Sequence, residues 1–144
     1  MDESTNPFLQ AFRGRLKSTL RWHEFDTTLE SINQQPEDWY IYQLGTAPPE
    51  DTEEAKITQD FTQRINALIR KEHQEDYCGV IYTDSFTEPS FLKIYDPNNL
   101  GVSCGFSDNP PLPGWIMSKI KPIDIPEAMN PAKNRKRWWH KIFS

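Results

Sequence analysis

Apolar residues alternate with polar ones in short runs through the middle of the chain, and recur in steps of four on either side of it. Tyr77–Asp84, Phe91–Tyr95 and Val102–Phe106 are rich in aromatic and β-branched residues and are separated by turn-forming residues. Such segments read as the strands of an antiparallel meander. In the second, Leu92 and Ile94 point one way and Phe91, Lys93 and Tyr95 the other. Both alternating sets of the first carry apolar groups, as an interior strand requires. Asp96-Pro97-Asn98-Asn99 is a turn, because proline presets one dihedral and asparagine tolerates the left-handed region. Trp39–Leu44 adds a fourth strand, with Trp39, Ile41 and Gln43 on one face and Tyr40, Tyr42 and Leu44 on the other.

The four-residue steps predict helices. Asn6-Pro7 is an N-cap followed by proline at the first helical position, and Phe8, Phe12, Leu16 and Leu20 then form one stripe. Arg13, Arg15, Lys17 and Arg21 occupy its other faces, and Gly14 weakens it. Packing on the core is one use for this helix; a basic amphipathic contact with a membrane surface is the other. Asp26 or Thr27 is placed to cap a short helix through Ile32, which Gln34-Gln35-Pro36 ends. The longest element runs from about Asp51 to His73. Ile57, Phe61, Ile65, Leu68 and Ile69 line it, Glu50, Asp51, Glu53 and Glu54 stand at its start, and Arg70, Lys71 and His73 at its end. Ile116 to Ile120 fits a strand or a short helix equally well.

The fold expected is therefore α+β: an antiparallel sheet of about four strands, one long covering helix, and an N-terminal helical segment. Residues 1–132 make one such domain, and 133–144 form a tail. The length, 144 residues, suits one core. Eighteen aromatic residues (5 Trp, 5 Tyr, 8 Phe) supply large side chains despite a hydrophobic fraction of only 36%.

Charge changes this picture, because the net value of −5 is unevenly spread. Residues 22–88 hold fifteen acidic and four basic groups, whereas residues 133–144 hold five basic and no acidic ones. An acidic body argues against nucleic-acid binding over the whole surface and directs attention to the ends of the chain. In the tail, Arg135, Lys136, Arg137 and Lys141 surround Trp138, Trp139, Ile142 and Phe143. On a helix, Trp138 pairs with Ile142 and Trp139 with Phe143 at i, i+4 spacing, giving one apolar patch within a basic rim. These eight residues are the candidate binding site. Docking on a protein partner or on a second copy is the favoured use. An anionic membrane surface is the alternative, and nucleic acid comes third.

Candidate chemistry is sparse. Cys78 and His73 are the nearest thiol–base pair, but a five-residue offset across a helix-to-strand boundary sets no geometry; a thiol-dependent enzyme is the minor alternative. His23, Glu24 and Asp26 have no second ligand cluster, so no metal is expected. Neither a Walker pattern nor a dinucleotide fingerprint occurs, and no cofactor is expected. Pro110 and Pro113 match a PxxP spacing, read first as a rigid connection that seats Leu112 and Trp115. Met1-Asp2-Glu3-Ser4 has no apolar run behind it, no stretch approaches the ~20 apolar residues of a membrane span, and two cysteines make no disulfide framework. The expectation is a non-enzymatic, cytoplasmic interaction protein.

Overall fold

The computed structural model describes residues 6–72, 79–95 and 113–125. Within them lie three helices, α1 (Pro7–Arg13), α2 (Trp22–Gln34) and α3 (Ala55–Glu72). The five strands are β1 (Lys17–Ser18), β2 (Tyr40–Gln43), β3 (Ile81–Thr83), β4 (Phe91–Ile94) and β5 (Trp115–Ser118). All strand pairings are antiparallel, in the order β1-β3-β4-β5-β2. The α+β class, the antiparallel sheet, the long covering helix and the N-terminal helix all follow the sequence pattern.

Period-two alternation sorts the strands onto two faces. Ile81, Leu92, Ile94, Trp115 and Met117 meet Phe25, Leu29 and Ile32 of α2 and Phe61, Ile65 and Ile69 of α3. Phe91, Ile116, Tyr42 and Leu44 meet Phe8 and Leu9 of α1 and Ile125. Trp39 and Ile41 belong to the first face, Tyr42 and Leu44 to the second, as alternation in this strand requires. Expected strand Val102–Phe106 lies outside the described residues. The strand found beside β4 is β5, with Leu92 opposite Met117 and Ile94 opposite Trp115. Its own periodicity was uninformative because all four of its residues are buried: a strand covered on both faces has no polar side.

α1 begins as expected. Asn6 Oδ1 accepts the N–H groups of Phe8 at 2.8 Å and Leu9 at 3.2 Å, satisfying two donors that the first turn leaves open. It ends earlier than the stripe implied. Gly14 adopts an extended conformation and donates its N–H to Ala11 O. A Cβ at Gly14 would sit 3.1 Å from Gln10 O. Beyond it the backbone bonds to β3, with Lys17 opposite Thr83 and Ser18 opposite Tyr82. Thr19 N–H then reaches Ile81 O, and Gly79 N–H reaches Thr19 O, both at 2.9 Å. Leu16 still packs on the second core, whereas Leu20 is 58% exposed.

α2 starts at Trp22, four residues before the expected cap. Glu24, third in the helix, accepts the Arg21 N–H at 2.9 Å. α3 starts at Ala55 rather than about Asp51, because Glu53 N–H is drawn to Trp39 O at 2.9 Å and the first helical bond is Thr58 N–H to Glu54 O. The four acidic residues therefore precede the helix. Thr58, not Ile57, takes the inward position, and Ile57 is 47% exposed. Hydrogen bonds tie α3 to α2: Thr62 Oγ1 donates to Asn33 Oδ1 at 2.6 Å, and Gln59 Nε2 to Asn33 O at 3.2 Å.

Candidate functional site

Where α2 meets its neighbours, two places on the described surface combine polar groups with an aromatic floor. At its start, Trp22 and Phe25 pack edge to face with centroids 5.2 Å apart. Arg70 of α3 lies over them, its Cζ 4.7 Å from the Trp22 ring centre and 5.5 Å from that of Phe25. The guanidinium is held there by Asp26, and its Nε donates to Asn66 Oδ1 at 2.7 Å. Glu24 is engaged by backbone and Asp26 by Arg70, so the Trp-His-Glu-Phe-Asp run serves helix starting and helix pairing. Among the described residues no cluster of three or more His, Cys, Asp or Glu side chains is arranged to hold a metal.

At the other end of α2 is a cleft of about 350 Å³, lined by Ser31, Gln34, Gln35, Trp39, Thr87, Glu88, Pro89, Ser90 and Lys119. Its walls are preorganised. Asp84 closes the β3–β4 loop: its Oδ1 accepts Ser90 N–H at 2.9 Å and Phe91 N–H at 3.2 Å, and its Oδ2 accepts the Ser90 hydroxyl. Glu88 N–H is held by Ser85 Oγ at 3.0 Å. Ser31 Oγ donates toward Phe86 O at 3.1 Å and so links the loop to α2. Lys119 N–H bonds Ser90 O at 2.9 Å, fixing β5 to the same loop. Trp39 forms the floor, only 1% exposed, with Nε1 donating to Gln35 O at 3.3 Å and Lys119 Nζ lying 5.2 Å from its ring centre.

A third polar group sits under α1. Lys93 Nζ lies 4.2 Å from the Phe12 ring centre, and burial pushes its ammonium pKa down. Tyr82, opposite Lys93 in the ladder, packs edge to face on Tyr95 at 5.5 Å. The Tyr95 hydroxyl is pushed up to about 12, first by burial and then by Tyr82. Burial also raises Tyr42, with the Asp124 carboxylate adding to it.

Arg135, Lys136, Arg137, Trp138, Trp139, Lys141, Ile142 and Phe143 lie outside the described residues, as do His73, Cys78, Cys104 and Pro110. The cleft was not foreseen in the sequence. In the sequence Gln34-Gln35 reads only as a helix end, and the residues between the first two expected strands only as turn formers. A signal was present in Asp84 and Ser90, a carboxylate and a hydroxyl at the two ends of a short loop, the pairing that side-chain-to-backbone turns use. Among the described residues no helix is long and apolar enough to cross a membrane. No family profile, no curated protein and no solved structure matches the chain.

Proposed function

We propose that the chain is a non-enzymatic interaction protein that uses its basic, Trp-rich C-terminal segment to contact a protein partner or a second copy of itself. The observation that carries this reading is the division of charge. Residues 22–88 hold fifteen acidic groups and residues 133–144 five basic ones with no acid. Ion pairs within the described residues engage Asp26, Asp60 and Glu50, and all three are surface pairs of small energetic weight. An acidic surface of this kind attracts a basic segment and sets its orientation and rate of encounter. Trp138, Trp139, Ile142 and Phe143 then supply the apolar contact that holds the complex. The large hydrophobic residues exposed among those described are Leu20 and Ile57. The cytosol is the compartment this reading assigns.

Peripheral binding to an anionic membrane through the same residues is the second reading, favoured by the mixture of Trp with Lys and Arg. The acidic body opposes it by repulsion from the same headgroups. Sedimentation of the full chain and of a Trp138→Ala/Trp139→Ala variant tests the first reading, with vesicle flotation beside it. The expected result is association of the full chain that the variant loses, with no flotation on neutral or anionic vesicles. Flotation confined to anionic vesicles and lost in the variant would replace the first reading with the second.

A further inference from the structure

The cleft at the end of α2 favours positive charge from three directions. α2 has no basic residue in its last turn, so the negative end of its dipole is uncompensated by the helix itself. That last turn, through Ser31, Gln34 and Gln35, is one wall of the cleft. Glu88 on the facing wall is the one carboxylate among the lining residues, and it makes no ion pair with any described residue. The floor is the Trp39 ring, whose face attracts cations. A cation already occupies that position: Lys119 reaches across from the end of β5 to lie 5.2 Å from the ring centre. The Lys119 side chain is exposed and likewise makes no ion pair among the described residues. A flexible, unpaired lysine covering a buried indole can be displaced at small cost.

Size narrows the occupant. At about 350 Å³ the cleft is near the lower bound of ligand sites, roughly 300–1,000 Å³. It suits one long side chain with its flanking backbone, and the Gln34 and Gln35 amides on the rim can pair with peptide N–H and C=O groups.

We propose that this cleft receives an arginine or lysine side chain of a basic peptide, in the position Lys119 now holds over Trp39, and that the peptide is the 133–141 segment of a second copy. The identity of the peptide rests on the function proposed above; the preference for a cation rests on the cleft alone. Lys119 is then a resident stand-in for the incoming group. Its removal strengthens binding by uncovering Trp39 and relieving like-charge repulsion.

The test is titration of the isotopically labelled full chain with a synthetic peptide of residues 131–144, followed by two-dimensional amide NMR. A control peptide carries glutamate at positions 135, 136 and 137, and acetyl-triarginine amide is a third probe. The 131–144 peptide and triarginine are expected to shift the Trp39 indole N–H and the Gln34 and Gln35 amides, and the glutamate peptide is not. Glu88→Lys should weaken binding about tenfold, and Lys119→Ala should tighten it several-fold. Shifts that spare the Trp39 indole, or weakening by Lys119→Ala, would overturn the cleft assignment. Triarginine shifting Trp39 while the 131–144 peptide does not would keep the cation site and remove the self-contact. Self-association that persists in Glu88→Lys would leave the tail reading standing and discard the cleft as its receptor.

Discussion

Beneath α2 and α3 the sheet presents Ile81, Leu92, Ile94, Trp115 and Met117, and the buried polar side chains on those two helices are the threonines Thr28, Thr58 and Thr62. Beneath α1 the same sheet presents Phe91 and Ile116 together with Lys93, Tyr42, Tyr82 and Tyr95, three of which have displaced pKa values. The first face is closed by helices of 13 and 18 residues, the second by a helix of seven and the 120–125 segment. Joined to each other by bonds to Asn33 and Asp26, two long amphipathic helices bury enough apolar area to close that face. A seven-residue helix does not, so it depends on its cap and leaves room for amphipathic side chains whose polar ends reach the margin. From neutral to alkaline pH, stability on the first face should therefore stay constant, and on the second it should not.

The largest effects separate the faces by volume alone. Ile65→Ala should cost about 2–5 kcal/mol and Phe91→Ala about 3–5 kcal/mol, since each empties a fully buried site. Denaturant unfolding should show the Ile65→Ala loss unchanged from neutral pH to about pH 11. A loss that varies with pH would mean that titrating groups reach the first face after all.

Next in size is the alkaline limb. Unfolded tyrosine ionises near 10, whereas Tyr95 is held at about 12. Keeping it neutral contributes stability that is complete below pH 10 and is lost as pH rises through about 12. Tyr95→Phe should remove that loss, a difference of about 1 kcal/mol between roughly pH 9 and pH 12 after discounting the part of the ring still in water. Ultraviolet titration of the tyrosinates should lose one late-ionising group in the same variant. Asn6→Ala removes the cap from the short helix and should cost about 1 kcal/mol, measurable as faster amide exchange confined to α1.

Lys93 gives the smallest effect and the opposite sign. Its folded pKa is lowered, so the desolvation cost is fully present below the folded value and disappears as pH rises from there toward 10.5. The ring of Phe12 returns part of that cost. Lys93→Met should stabilise the protein by about 0.5–1 kcal/mol at pH 7, with the gain shrinking in alkali. A destabilised variant would mean that the ammonium makes a contact stronger than its burial is costly.

Elements whose local and tertiary demands agree were legible in the sequence. Asn6-Pro7 caps because the donors it satisfies are two and three residues away. Phe61, Ile65 and Ile69 repeat at the helical period because one face is buried along the length of α3. What escaped notice depends on distant partners. Leu20 completes a four-residue step yet is exposed, because Thr19 bonds to Ile81, 62 residues away, and the extended backbone wins over the helix beyond Gly14. Ile57 reads as core, but the bond from Glu53 to Trp39 O delays the start of α3 until Thr58 faces inward. β5 is hidden by being apolar on both sides. The cleft is assembled from α2, a loop some fifty residues later and the end of β5, and no local pattern records that meeting.

On the proposed function, the sheet and its two covered faces make a self-sufficient body, and the basic tail serves contact. The most direct measurement is thermal unfolding and sedimentation of the full chain beside a chain ending at Ala132. The account predicts that the shorter chain unfolds cooperatively within a few degrees of the full one and no longer associates. Loss of cooperative unfolding on removing residues 133–144 would contradict it and make the tail part of the core.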